Sequence, residues 1–137
     1  MIPNVKIRPI GIALLVFIIL YIGLNVFAHF TMPFRAPDSN GYMMVLLFGF
    51  FPWLVAGYVA ASLAKNHGIF HSALLGPLTS LIQQIDCFVK LPTLLHACTL
   101  ANWFYYLVYG VVLSGIGGFV WYLKKIIQKR QSSLTKS

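Results

Sequence analysis

The sequence predicts an all-α integral membrane protein: a four-helix transmembrane bundle with both termini cytoplasmic. Three observations carry that expectation: four long apolar stretches split by short polar connectors, a composition 59% hydrophobic and only 9% charged, and basic residues gathered at the stretch ends and in the C-terminal segment. A chain so apolar lacks the polar side chains to cover a soluble domain of its size. A helix needs about 20 apolar residues to cross the hydrocarbon layer, so four crossings and their turns take up nearly all of the 137 residues. The expectation is one transmembrane domain over 1–137, with 124–137 as a basic cytoplasmic tail. A net charge of +8 raises nucleic acid as a partner. The basic residues do not line one amphipathic face, however, so the lipid bilayer is the expected partner and nucleic acid is not.

The first span is expected over 10–30, after the basic pair Lys6 and Arg8 and with Pro9 suited to a first helical turn. Val26, Phe27 and Ala28 resemble a signal-peptide cleavage site. The apolar run is longer than a signal-peptide core and three more spans follow, so an uncleaved helix is expected. The second span is expected over 43–64, beyond a connector holding Pro33, Arg35, Pro37, Asp38 and Gly41, residues that favour turns. The third, over 69–89, is diluted by polar residues. Ser72, Gly76, Thr79, Gln83, Asp86 and Lys90 nevertheless recur at steps of three or four, on one helical face that should point inward. Pro52 and Pro77 are expected to bend the second and third spans, with neighbouring helices and hydroxyls making up for the missing hydrogen bonds. The fourth span is expected over 100–123. Trp103, Tyr105, Tyr106 and Tyr109 crowd one of its ends and Trp121 and Tyr122 the other, as rings at two water interfaces would.

Four spans put Lys6, Arg8, Lys65, Lys124, Lys125, Lys129, Arg130 and Lys136 on one side and only Arg35 and Lys90 on the other. That asymmetry predicts cytoplasmic termini and argues against insertion in both orientations, which needs balanced charge.

Small residues give the helices a way to pack. Ala56, Ala60 and Ala64 form a ridge on the second span with Gly57 and Ala61 beside it, and Gly110, Ser114 and Gly118 form another on the fourth. The ridges are expected to seal the helices of one chain together, with a homo-oligomer as the alternative. The polar face of the third span supplies the other candidate residues, Ser72, Thr79, Gln83 and Asp86. An acid in a span is costly and so a functional candidate, but Lys90 lies one turn from Asp86 and an interfacial ion pair accounts for it. Asn25, with His29 one turn on, is placed to hydrogen-bond to that face.

Cys87 and Cys98 are the only cysteines and flank Pro92 in the expected outer segment, a candidate disulfide. Closing so short a loop would contribute about 3 kcal/mol in the chain-entropy account; two buried thiols are the alternative. No metal site is expected. His67 and His71 are four apart with Gly68 between them, and a mixed set from His29, His96, Cys98 and Asp86 has no ligand spacing to recommend it. No cofactor is expected, and no nucleophile with a base is visible, so the chain is not expected to be an enzyme.

The stretch Ala56 to Lys65, followed by Gly68 and by His71, Ser72, Ala73, Leu74, Leu75 and Gly76, resembles uncharacterised small four-helix bacterial inner-membrane proteins, with a small-residue helix, a short turn and a His-small-small-Leu-x-Gly opening. The resemblance covers about 20 residues and implies four spans and a bacterial inner, or cytoplasmic, membrane. It carries no activity. The expected role is that of a multi-pass membrane protein acting by helix association, as an accessory or assembly subunit with a membrane-protein partner or a second copy. The alternatives are a toxin-immunity or holin-like small membrane protein, and a small-solute or ion transporter lined by the polar face of the third span.

Overall fold

The computed structural model describes residues 6–31, 49–65, 67–90 and 100–134. It is all-helical, with no strand among the described residues. Helix α1 runs over Ile7–Thr31, α2 over Phe51–Ala64, α3 over Gly68–Ala73, α4 over Leu75–Lys90 and α5 over Leu100–Leu134. Helices α1 and α5 are long and apolar enough to cross a membrane. At 25 and 35 residues they measure about 38 and 52 Å, against about 30 Å of hydrocarbon.

The second and third apolar stretches differ from simple continuous helices. Gly49 is helical, Phe50 forms a turn, and α2 starts at Phe51 with Pro52 in its first turn. Proline belongs there because the backbone N–H it lacks would have no intrahelical acceptor. The described part of this stretch is only 14 residues long; 41–48 lie outside the described residues. A second interruption falls at Leu74, between α3 and α4, three residues before Pro77. Pro77 cannot donate to the carbonyl of Ala73, so the ladder breaks where that bond is missing. The Leu74 N–H still reaches Phe70 O at 3.1 Å, which keeps α3 and α4 nearly end to end.

Ring and hydrogen-bond pairs give the helix directions. Phe17 of α1 packs against Trp53 at the start of α2, with ring centroids 5.5 Å apart. The Lys6 N–H, just before α1, reaches His71 beyond the end of α2. Thus α1 and α2 are antiparallel. Phe50 lies 5.2 Å from Tyr109, and Tyr58 meets Lys124, so α2 and α5 run parallel. Gly118 faces Ser72 while Gly110 faces Gly76 and Thr79, so α3 and α4 run antiparallel to α5. Among the described residues no Cα atom of α1 comes within 8 Å of one in α5; α5 lies against α2, α3 and α4, and α1 packs mainly on α2.

The core combines Ala13 and Phe17 of α1, Trp53, Ala56 and Ala60 of α2, and Leu75 of α4. Half of its members are alanines, and between the helices backbones meet directly. A methyl group built on Gly57 would overlap the Ser114 backbone of α5, and one on Gly76 would overlap the backbone of Val111. On Gly117 it would overlap the Leu54 carbonyl, and on Gly118 the hydroxyl of Ser72. At the α2–α3 turn, a methyl on Gly68 would stand 2.9 Å from Ala61 O. Lys65 (φ 58°) and His67 (φ 54°) carry that turn at positive φ, which for non-glycine residues costs about 1–3 kcal/mol each. Close seating of α3 on α2 accompanies that strain.

These contacts separate two kinds of glycine. Gly57→Ala forces α2 and α5 apart and should destabilise the protein by about 1–3 kcal/mol, since two packed backbones cannot rearrange around a methyl group. Gly11 and Gly23 on α1 have nothing within 4 Å, so Gly11→Ala should be neutral or stabilise by up to about 1 kcal/mol through helix propensity. Thermal unfolding of the two variants in detergent measures the contrast, and equal midpoints would contradict the packing argument.

Candidate functional site

The polar face of α3 and α4 meets α5 and α2 in the interior, and its side chains are the candidate site. Ser72, Thr79 and Ser80 are fully buried, and Gln83 is half-buried one turn further along α4. Helical spacing places them on the inner side, and α5 provides room by presenting Gly110, Ser114 and Gly118.

Each buried hydroxyl satisfies itself locally. Ser72 Oγ donates to Ile69 O at 2.8 Å and Ser80 Oγ to Pro77 O at 2.8 Å. Ser114 Oγ donates to Gly110 O. Thr79 Oγ1 shares its proton between Leu75 O at 2.9 Å and Gly76 O at 3.0 Å, and accepts from Trp53 Nε1 at 2.9 Å. This last bond joins α2 to α4 across the core and satisfies an indole N–H that burial would otherwise leave unpaired. It also anchors a chain of rings. Trp53 touches Phe17 of α1 and, at 6.2 Å, Tyr109 of α5; Phe17 stacks on Tyr21 and Tyr109 on Tyr105.

His71 is 1% exposed, and both ring nitrogens are engaged. Nε2 accepts the Lys6 N–H at 2.9 Å, which leaves Nδ1 to carry the proton and donate to His67 O at 3.0 Å. The neutral tautomer with hydrogen on Nδ1 is the one this geometry requires. His71 thereby ties the start of α1 to α3. His67 is exposed and contributes its carbonyl, so the pair is a hydrogen-bonded cap with neither nitrogen of His71 open to a metal.

The other candidate residues fall as follows. Gly57, Gly110, Ser114 and Gly118 stand at the contacts of α5 with its neighbours, and Ala61 is buried where Gly68 abuts α2. Asp86 and Cys87 lie in the last turns of α4, where the backbone alone is described, and Cys98 lies outside the described residues. Asn25 Nδ2 donates to Tyr21 O on its own helix at 2.8 Å. Sequence reasoning missed Trp53, His71, Ser80 and Gly117 as contact residues. Gly117 was open to discovery, since it lies three residues after Ser114 and seven after Gly110. The Trp53 bond to Thr79 had no signal, because the partners are 26 residues apart.

No family model, curated protein or solved structure matches this chain.

The link between Trp53 and Thr79 can be measured. Thr79→Val keeps the side-chain shape, removes the acceptor, and should cost about 1 kcal/mol. In a Trp53→Phe background, where no indole N–H remains, the same change should cost less; purely additive effects on thermal stability would remove the bond from the account.

Proposed function

We propose that the protein is a multi-pass membrane protein, a four-span bundle with both termini cytoplasmic, that acts by helix association as an accessory or assembly subunit. One observation carries the reading: large apolar side chains run along the outer faces of the two longest helices while small ones fill the interior. On α1 they include Leu15, Ile19, Ile22, Val26 and Phe30, and on α5 Val108, Val112, Ile116, Phe119 and Leu123. Only 11% of the apolar window of α1 and 22% of that of α5 are buried in protein, far less than for a core helix of a water-soluble domain. Water would tolerate such stripes poorly, whereas lipid tails or a partner helix suit them.

Alternating helix directions fit four crossings, and the eight-to-two division of Lys and Arg supports cytoplasmic termini. A bacterial inner membrane is the setting this reading favours, on the resemblance described above. Cytoplasm-active reporters at either terminus and a periplasm-active one inserted near Arg35 should all give signal. A periplasmic C-terminus would mean an odd number of crossings and overturn the four-span reading.

Association is favoured over transport because the polar face is closed by α5 and its hydroxyls donate to their own backbone. A specific observation favours the second reading, a path for a small solute or ion: Gln83 Oε1 is buried with no hydrogen-bond partner among the described residues, on the helix that carries Asp86. Extraction in mild detergent should retain a stable partner or a second copy, and Gln83→Leu should leave that assembly intact. A monomer without partners, together with a vesicle flux that Gln83→Leu abolishes, would replace association by transport.

A further inference from the structure

Lys6, Arg8, Lys65, Lys124, Lys125, Lys129 and Arg130 gather at one end of the structure. The register places them together, since α1 begins where α2 ends and α5 runs parallel to α2. The chain has only two acidic residues, of which Asp86 is toward the opposite end of α4 and Asp38 lies outside the described residues. Among the described residues, therefore, this cationic end has no carboxylate of its own.

Two of the lysines do not extend toward the C-terminal segment. Lys124 Nζ donates to the hydroxyl of Tyr58 at 3.2 Å and lies 5.8 Å from the centre of its ring. Lys125 Nζ stands 5.2 Å from the centre of the Trp121 ring. Helical side chains lean toward the helix N-terminus, so both amines turn back along the apolar part of α5. Tyr58 itself is six residues, about 9 Å of helix rise, before α2 ends at Ala64. An ammonium is thus held at the seam between two apolar helices, short of the level where α2 stops.

The donors at that seam are not used up. A tyrosine hydroxyl that accepts from an ammonium keeps its own proton to donate, and the ammonium keeps two more. Among the described residues neither group meets a further hydrogen-bond partner. An acceptor that suits these donors is anionic, because Lys65, Lys125, Lys129 and Arg130 lie close in sequence, at the end of α2 and on α5, with like charge. It should also carry an apolar body, because Val120 and Ile127, one turn before and one turn after Lys124 on the same face of α5, are exposed.

We propose that Tyr58 and Lys124 form a binding site for the phosphate of an anionic phospholipid, whose acyl chains lie along the α2–α5 seam. The proposal rests on the membrane reading above. A zwitterionic headgroup brings its own ammonium into a cationic field and is disfavoured there.

The test uses full-length protein purified in mild detergent and mixed with phosphatidylglycerol or phosphatidylcholine, with bound lipid counted by native mass spectrometry. Phosphatidylglycerol should be retained in preference, and Lys124→Gln should lower its retention about fivefold, the effect of one basic residue near an anionic surface. Lys124→Arg should restore it. Tyr58→Phe, which keeps the ring and removes only the hydroxyl, should lower it too, and covers the case in which Lys124→Gln fails to fold. Equal retention of the two lipids, or retention of phosphatidylglycerol unchanged in both Lys124→Gln and Tyr58→Phe, would overturn the site. Displacement of the lipid by millimolar inorganic phosphate would reassign it to a free anion, and an acidic protein co-purifying through Lys124 in place of lipid would reassign it to that partner. Failure of the membrane reading is seen separately, as protein that stays in the supernatant after high-speed centrifugation without detergent.

Discussion

Close approach of the α5 backbone to the backbones of α2, α3 and α4 is the constraint on which the rest of the structure depends. Gly57 sits on Ser114, Gly76 on Val111, Gly117 on the Leu54 carbonyl and Gly118 on the Ser72 hydroxyl, each with no room for a methyl group. Those contacts fix the helix register, since sliding α5 by one residue would set a side chain where a glycine stands. They also explain the composition of the core, where Phe17 and Trp53 are bulky but alanines fill much of the remainder. Lipid tails are as apolar as leucine, so helices in a bilayer gain little by pressing large apolar side chains together and more by matching backbone surfaces closely.

Buried polarity follows from that closeness. Between helices this near to one another there is little space for water, so each hydroxyl must find a partner within its own turn or directly across the seam. Ser72, Ser80 and Ser114 take the first course, and Thr79 takes both, donating to its own helix and accepting from Trp53. His71 does with two nitrogens what Thr79 does with one oxygen, and joins the beginning of α1 to α3. The two connections lie at different levels, one near the cationic end and one toward the aromatic end. Together they determine how α1 and α2 sit relative to the α3–α4 pair.

The outer surface has a different logic. Large side chains such as Leu15, Ile19, Val112 and Phe119 face outward, while glycine, alanine and serine face in. At the cationic end α5 continues as helix through Lys124, Lys125, Lys129 and Arg130 to Leu134, well past the point at which an apolar crossing would stop. The basic segment is therefore a helical continuation of α5 as far as Leu134. Its first two lysines rest on aromatic rings, a placement that fits the boundary between an apolar layer and a charged one.

Composition and periodicity alone determined the helical class, the apolarity of α1 and of the first two thirds of α5, and the small residues through which helices meet, whereas the continuation of α5 as helix to Leu134 was not expected. These are local properties: a long apolar run has few ways to satisfy its backbone except as helix, and a glycine or alanine ridge is visible at spacings of three and four. Prolines 52 and 77 marked where the second and third stretches depart from straight helices, but the tertiary structure decided the outcome, a first-turn proline in α2 and a break at Leu74. It also decided which ridge meets which neighbour, that Trp53 bonds to Thr79, that His71 takes the Lys6 N–H, and that Lys124 turns back to Tyr58. Those pairs are 26 to 66 residues apart in the chain. Their meeting depends on how the helix backbones cross, a property of the assembled helices that no single helix carries.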